Sequence, residues 1–233
     1  MGCAADGRRR RDARIERARR VCDSLILSLI AVPFFGDAEY IRPAPCGHEG
    51  CRGILSRMTT TTTATIRAAA EADLPAINAI YNREVTDGVA TWDTVPWTDE
   101  QRLEWFNQHR MAGAAALVAE VDGAVVGFAD LSFYKTRGGY RFTREDTVYV
   151  APDHQRQGIG RALLEALLVE ARSYMVHAVI ARIEATNEAS IELHRALGFE
   201  VTGEEREAGY KFGEWRTLTQ MQTMLATFND EVC

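Results

Sequence analysis

The sequence has very few lysines and, over most of its length, no cysteine. Lys135 and Lys211 are its two lysines, although Lys and Arg together number 27 in the 233-residue chain. The five cysteines stand at positions 3, 22, 46, 51 and 233, so residues 52–232 contain no thiol nucleophile. Because an odd number of cysteines without regular spacing does not make a disulfide framework, we expect a reducing compartment, namely the cytoplasm.

Long apolar runs and an excess of positive charge are absent as well. The apolar stretch from Leu25 to Phe35 is interrupted by Pro33, and a membrane-spanning helix needs about 20 apolar residues. The formal net charge is −6, whereas nucleic-acid-binding domains are typically basic. We therefore expect neither a membrane span nor a nucleic-acid partner.

The segment from Cys46 to Cys51 is the nearest approach to a metal-binding pattern. It contains two thiols and the imidazole of His48. A structural zinc ion takes four ligands, and no second pair stands nearby in the sequence. We expect no bound metal.

The first 57 residues differ in composition from the rest. Residues 1–58 contain 11 arginines and 7 acidic residues, and Met58 begins a threonine-rich stretch just before the first predicted strand. Basic residues before an apolar run also resemble a signal peptide, but no small-residue cleavage site follows them. We expect residues 1–57 to be a disordered or spurious extension and residues 58–233 to form one domain.

Hydrophobic periodicity and turn residues divide residues 58–233 into strands and helices. Asp122-Gly123 joins two apolar runs and predicts a hairpin, and the capping box Thr98–Gln101 opens a helix. The predicted order is β-α-α-β-β-β-α-β-α-β-β, an α/β (α+β) fold. Strands are predicted at 65–68, 114–121, 124–133, 143–150, 176–184, 199–203 and 215–225, and helices begin near 73, 98, 158 and 188.

A glycine-containing loop, Gln155-Arg156-Gln157-Gly158-Ile159-Gly160-Arg161, lies between a predicted strand and the helix of residues 158–174. Glycines let the backbone approach a ligand closely, and a helix N-terminus offers free N–H groups to phosphate. The loop lacks the Lys-Ser/Thr pair of a P-loop and the third glycine of a dinucleotide-binding loop. A tight helix entry is the alternative interpretation of the same glycines.

Two motifs that follow each other along the sequence make the interpretation of this loop more specific. Val148-Tyr149-Val150 followed by the Gly-x-Gly loop resembles the acyl-CoA loop of the GNAT N-acetyltransferases. Asn187-x-Ala189-Ser190, with Gly198-Phe199 further on, resembles the next helix of that superfamily. The resemblance implies a GNAT-type mixed, largely antiparallel sheet of six to seven strands flanked by about four helices. It also implies acetyl-CoA as co-substrate and a homodimer.

A narrower resemblance concerns the substrate. Residues 145–150, 193–199 and 209–215 resemble the phosphinothricin and methionine sulfoximine/sulfone N-acetyltransferases, and so does the segment 134–137. This implies acetyl transfer to the α-amine of a small amino-acid analogue. The implied substrate-binding residues are Trp92, Lys135, Thr136, Arg137, Glu145, Asp146 and Thr147. The implied cofactor-binding residues are Val148, Tyr149, Val150, Arg156, Gln157, Gly158, Ile159, Gly160, Arg161 and Asn187.

Acetyl transfer to an amine needs a general base, because the amine is mostly protonated at neutral pH. Glu145, at the start of the predicted central strand, is the candidate base, and burial would raise its pKa toward the useful range. Asp146 is the rival base, although strand alternation points it to the opposite face. The resemblance implies that His194 is the general acid for the departing thiolate, or a hydrogen-bond donor to the reacting carbonyl.

Two other functions fit the same motifs. One is a GNAT enzyme that acetylates another amine, such as a protein N-terminus or an aminoglycoside. Lys135 and Arg137 argue against a cationic aminoglycoside, because they favour an anionic substrate group. The other is a non-catalytic acyl-CoA-binding domain. The presence of Glu145 and His194 argues against it.

Overall fold

One mixed β-sheet carries helices on both of its faces. A computed structural model describes residues 64–110 and 114–225, and the predictions made for residues 1–57 lie outside the described residues. The described residues form seven strands and four α-helices in the predicted order. The strands are β1 (Thr65–Ala68), β2 (Ala115–Val121), β3 (Ala124–Phe133), β4 (Thr143–Val150), β5 (Ala178–Glu184), β6 (Glu200–Lys211) and β7 (Glu214–Met224). The helices are α1 (Leu74–Asp87), α2 (Asp99–His109), α3 (Ile159–Ser173) and α4 (Glu188–Ala196).

The strand order creates an opening in the middle of the sheet. Neighbouring strands follow the order β1-β2-β3-β4-β5-β7-β6, and β4 and β5 are the parallel pair in an otherwise antiparallel sheet. These two strands pair from Thr143↔Ala178 only as far as Glu145↔Ile180. Since β4 continues to Val150 and β5 to Glu184, the strands part beyond this point and leave a cleft between them.

Each face of the sheet has its own apolar core. On one face, Leu163 and Leu167 of α3 are fully buried, because their spacing places them on a single apolar stripe of the helix. On the other face, Ile77 of α1 and Phe106 of α2 pack with Phe128 of β3. Among the described residues, no helix is both long enough and apolar enough to cross a membrane.

The local signals of the sequence act where they were predicted. Asp122 and Gly123 adopt φ angles of 51° and 79° in the β2–β3 turn, the left-handed region that a tight hairpin requires. The Thr98 side chain accepts a hydrogen bond from the amide of Gln101 and caps α2. Gly198 follows α4 with φ of 87°, as expected of a glycine that ends a helix.

The prediction for strand β6 was wrong in its length. The sequence predicted a strand over 199–203, whereas β6 runs from Glu200 to Lys211. Most of its side chains are exposed, so it lacks the alternation of apolar and polar residues by which strands are predicted. Its hydrogen bonds to β7, interrupted by two register shifts, define the strand instead.

Candidate active site

The cleft between β4 and β5 opens into a cavity of about 390 Å³. Its walls come from β4, β5, β7, helix α4 with its N-cap, and the loop between α1 and α2. Five of the predicted catalytic and substrate-binding residues line it together, namely Trp92, Glu145, Asp146, Thr147 and His194. The remaining lining residues are Ala90, Thr91, Asp93, Val148, Tyr149, Ala181, Arg182, Ile183, Glu184, Asn187, Ser190 and Leu218.

Successive side chains of β4 point to opposite faces of the sheet. Val148 packs against the α3 core, whereas the ring of Tyr149 lies in the core under α1 and α2, stacked on Phe128. By the same alternation, Asp146 faces the side of α3 and α4, and Glu145 the opposite side. Both carboxylates line the cavity, because the parting of the strands opens it to both faces.

The backbone of β4 offers hydrogen-bonding groups to the cleft. The amide of Ala151 donates to the carbonyl of Val126 on β3. Hydrogen-bonded pairs alternate along an antiparallel ladder, so Tyr149 and Thr147 bond to β3 in the same way. The amide and carbonyl of Val148 therefore point toward the side from which β5 has parted. This is the geometry expected if the β4 backbone holds an extended ligand.

Glu145 has the electrostatic properties of a base. Burial raises the pKa of its carboxyl, and the nearby negative charges of Asp146 and Asp130 act in the same direction, while Arg182 opposes them. Among the described residues, none makes a hydrogen bond to this carboxylate. A carboxylate with a raised pKa and free lone pairs can accept a proton from a bound amine.

Asp146 and His194 form a buried pair on the other side of the cleft. The Nε2 atom of His194 lies 2.9 Å from Oδ2 of Asp146, and Nδ1 lies 2.7 Å from the carbonyl oxygen of Ser190. Both partners are acceptors, so both ring nitrogens carry protons in this arrangement. Burial alone would lower the pKa of His194, but the hydrogen bond and charge of Asp146 outweigh it and raise the pKa.

This pairing determines what the two residues present to the cavity. The two N–H groups of His194 are committed to protein acceptors. Oδ1 of Asp146 is buried and has no hydrogen-bond partner among the described residues. Asp146 lines the cavity, and its Oδ1 is a buried acceptor with an unused hydrogen-bonding capacity.

Strand β6 holds the loop that carries Trp92. The Nζ atom of Lys211 donates to the carbonyls of Thr91 and Glu84, at 2.8 and 3.0 Å. A Cβ atom at Gly209 would stand 2.4 Å from the indole ring of Trp92, so this position has room for glycine alone. The two contacts fix Trp92 as a wall of the cavity.

The glycine-containing loop forms the entrance to α3, outside the lining of the cavity. Arg156 and Gly158 adopt left-handed conformations, with φ of 58° and 84°. The first backbone bond into the helix runs from the amide of Ala162 to the carbonyl of Gly158. The amides of residues 159–161 therefore have no acceptor within the helix. A Cβ atom at Gly158 would meet nothing within 4 Å, so there is open space beside the start of the helix.

Asn187 can cap helix α4 and contact a ligand at the same time. Its Oδ1 accepts a hydrogen bond from the amide of Ser190 at 3.1 Å and caps α4, and the residue also lines the cavity. Capping by Oδ1 leaves the amide NH₂ of Asn187 as a donor for a ligand.

The loop that was predicted to bind substrate lies apart from these residues. Lys135, Thr136 and Arg137 line a separate cavity together with Tyr140. The Nζ atom of Lys135 lies 4.5 Å from the centre of the Tyr134 ring and 5.3 Å from that of Tyr140. The structure thus does not bring these residues together with Glu145 in one cavity.

Two residues of the site were missed by sequence reasoning. Arg182 and Glu184 of β5 line the cavity, and Glu184 accepts hydrogen bonds from the backbone and hydroxyl of Thr186. Arg182 interrupts the otherwise apolar run of residues 178–183. A charge within a predicted central strand is the signal that could have identified it.

Comparison with known proteins gives consistent matches. Residues 77–199 match the family model described as acetyltransferase (GNAT) family. The L-amino acid N-acyltransferase MnaT of Escherichia coli is 43% identical over 160 residues, which are 69% of this chain and 93% of that protein. The L-methionine sulfoximine/L-methionine sulfone acetyltransferase of Salmonella typhimurium is 43% identical over 161 residues, with 69% and 94% covered. The crystal structure of a phosphinothricin acetyltransferase from Sinorhizobium meliloti in complex with AcCoA has a TM-score of 0.69 and 38% identity, over 70% of this chain and 89% of that one.

Proposed function

Because the chain belongs to the acetyltransferase (GNAT) family, we propose that it transfers an acetyl group from acetyl-CoA to the α-amine of a small amino-acid analogue. Methionine sulfone, methionine sulfoximine and phosphinothricin are the substrates we propose, since relatives are named for them. The observation that carries the proposal is the cavity in the β4–β5 cleft, where Glu145 lies beside hydrogen-bonding backbone groups of β4.

Glu145 is proposed as the general base. Burial raises its pKa and makes it a better proton acceptor than an ordinary glutamate. It takes one proton from the substrate ammonium, and the neutral amine nitrogen then forms the new bond to the acetyl carbon. The carbon–sulfur bond of the thioester breaks, the sulfur leaves as a thiolate, and the second proton on the nitrogen is released to solvent. Asp146, which faces the opposite side of β4, is the alternative base.

The residues around the cleft fit acetyl-CoA. Acetyl-CoA supplies an activated acetyl thioester. The β4 backbone at Val148 would bond the amide-containing arm of the cofactor, and the amide of Asn187 would add a donor. The free amides of residues 159–161 and the side chains of Arg156 and Arg161 would hold the pyrophosphate, because a helix N-terminus favours an anion.

His194 remains proposed as the source of the proton that the departing thiolate takes up. In this structure its Nε2–H is directed at Asp146, so a proton would leave through that carboxylate. Whether His194 acts in this way or only holds Asp146 in place is decided by a comparison of His194→Gln with Asp146→Asn. Relay through the pair predicts a similar loss of kcat in both variants. A purely positioning role predicts a smaller loss in His194→Gln.

A thiol-release assay tests the proposed function. Purified protein is mixed with acetyl-CoA and one amine at a time: methionine sulfone, methionine sulfoximine, phosphinothricin, an aminoglycoside and a peptide with a free N-terminus. We expect turnover with the three amino-acid analogues and with neither of the others. Turnover with the peptide or the aminoglycoside alone would favour a different GNAT substrate. Acetyl-CoA binding without turnover of any amine would favour a non-catalytic acyl-CoA-binding domain.

The protein is further proposed to be a cytoplasmic homodimer. Three large aromatic side chains around the β6–β7 turn are more than half exposed, namely Tyr210, Phe212 and Trp215. An exposed apolar patch of this kind is typical of a surface that a partner covers. Light scattering at micromolar concentration should give twice the chain mass. A monomeric mass would contradict the proposed dimer without affecting the proposed reaction.

A further inference from the structure

We infer that Arg182 binds the α-carboxylate of the substrate while Glu145 receives its amine. The inference rests on the proposed function and specifies the substrate class as α-amino carboxylates. It also assigns the carboxylate to a residue of the β4–β5 cleft and not to the loop of Lys135 and Arg137.

The two residues face the same side of the sheet at adjacent positions. Glu145 pairs with Ile180 across the parallel strands. Residues two positions apart on a strand share a face, so Arg182 points to the side of Ile180 and Glu145. Both side chains line the cavity, and Arg182 is close enough to lower the pKa of Glu145. An anionic and a cationic group therefore stand side by side, as the two charges of an amino acid require.

The other charged groups around the cavity are already committed to protein partners. Asp93 accepts hydrogen bonds from Tyr81 and Trp97, and Glu184 from Thr186. Asp146 is paired with His194, whose two N–H groups are both in use. Among the residues that line the cavity, Glu145 is the carboxylate without a donor, and Arg182 is the cation with unused donors.

Within the described part of the chain, Arg182 has one hydrogen-bond partner, Glu205, and a substrate carboxylate can displace it. One guanidinium nitrogen lies 3.2 Å from Oε2 of Glu205 on β6, a partner that is itself about half exposed. The guanidinium has five N–H donors, and a carboxylate can bind it through two parallel hydrogen bonds. A substrate carboxylate would take the place of Glu205, so Glu205 acts as an internal competitor.

Two substrates and three variants test this inference. The substrates are methionine sulfone and the amine that remains when its carboxylate is removed. The variants are Arg182→Gln, Glu205→Gln and, as a matched control, Arg206→Gln, which removes an arginine whose side chain is 85% exposed. We measure kcat and KM for each amine, and KM for acetyl-CoA.

Arg182→Gln should lower kcat/KM for methionine sulfone by about 10- to 100-fold, the range expected for charge-assisted hydrogen bonds, mainly through KM. It should leave the decarboxylated amine and acetyl-CoA within about threefold of the parent protein. Glu205→Gln should lower KM for methionine sulfone, because the competitor is gone, and Arg206→Gln should change nothing.

Three results would overturn the inference. The first is an equal loss for both amines in Arg182→Gln, which would make the effect structural. The second is no loss for methionine sulfone. The third comes from two additional variants, Lys135→Ala and Arg137→Ala: a loss confined to the carboxylate substrate in either of them but not in Arg182→Gln. Failure of the parent protein to acetylate either amine would instead contradict the proposed function itself.

Discussion

Asp146→Asn should make the stability of the protein depend differently on pH. In the parent protein, Asp146 raises the pKa of the buried His194 above its unfolded value, which is about 6.5. A group whose pKa is raised on folding stabilises the fold fully below its unfolded pKa. This stabilisation is lost as the pH rises through the folded value. The contribution of the pair is therefore larger at pH 6 than at pH 9.

The size of the effect follows from the burial of the pair. The side chains of His194 and Asp146 are 4% and 1% exposed. Breaking a buried ion pair costs about 3–5 kcal/mol, and an asparagine amide can still donate to neutral Nε2, a bond worth about 0.5–1.5 kcal/mol. We therefore expect Asp146→Asn to lower the free energy of unfolding by about 2–4 kcal/mol at pH 6 and by less than that at pH 9.

Urea denaturation of both proteins at the two pH values measures this difference. His109 is paired with Asp130 in the same way and also has a raised pKa. Because the parent and the variant both contain this pair, its contribution cancels when their free energies of unfolding are subtracted. The remaining difference comes from His194. An equal destabilisation at pH 6 and pH 9 would refute the assignment of an ion pair. So would a variant that is as stable as the parent at pH 6.

Three further predictions concern the cavity, the cofactor loop and the N-terminal segment. Gly209→Ala should displace Trp92 and raise KM for the amine at least severalfold, whereas Gly203→Ala on the same strand, where a Cβ meets nothing within 4 Å, should not. Gly158→Glu should raise KM for acetyl-CoA by about tenfold or more, because it adds strain and negative charge where the pyrophosphate would bind. Gly123→Glu, at a similar φ in the β2–β3 turn, is its control, and an equal effect of both would contradict the loop assignment. Deletion of residues 1–57 should leave solubility and kcat unchanged, and an insoluble or inactive product would contradict the predicted domain boundary.

Local chemistry explains why much of the fold was predictable. Asp122-Gly123, the Thr98 capping box and Gly198 each act through their immediate neighbours, so a single sequence contains what they need. The apolar stripe of α3 is equally local. The length of β6 was not predictable, because pairing with β7 and not its own residue pattern holds its exposed residues in the sheet.

Part of the site was predictable in its residues, but the contacts between them, the separate position of the 135–137 loop and the presence of Arg182 were not. The motif resemblance singled out Glu145, Asp146 and His194, and the cavity brings them together. The hydrogen bond between Asp146 and His194 joins residues 48 positions apart, and that from Lys211 to Thr91 joins residues 120 apart. Arg182 enters the cavity because β4 and β5 part after Glu145, a feature of the assembled sheet that no local pattern expresses.

The role of Glu145 as the base of acetyl transfer is tested most directly by Glu145→Gln, assayed with acetyl-CoA and methionine sulfone across a pH range. Gln keeps the size of the side chain but cannot accept the proton. We predict a fall in kcat of about 10²–10⁴-fold at pH 7. KM for acetyl-CoA should stay within about threefold, and the loss should shrink at high pH, where solution supplies the neutral amine. The exposed Glu192→Gln on α4 is the control and should turn over normally. Normal turnover of Glu145→Gln at pH 7, together with a large loss in Asp146→Asn, would contradict the account and assign the base to the other face of β4.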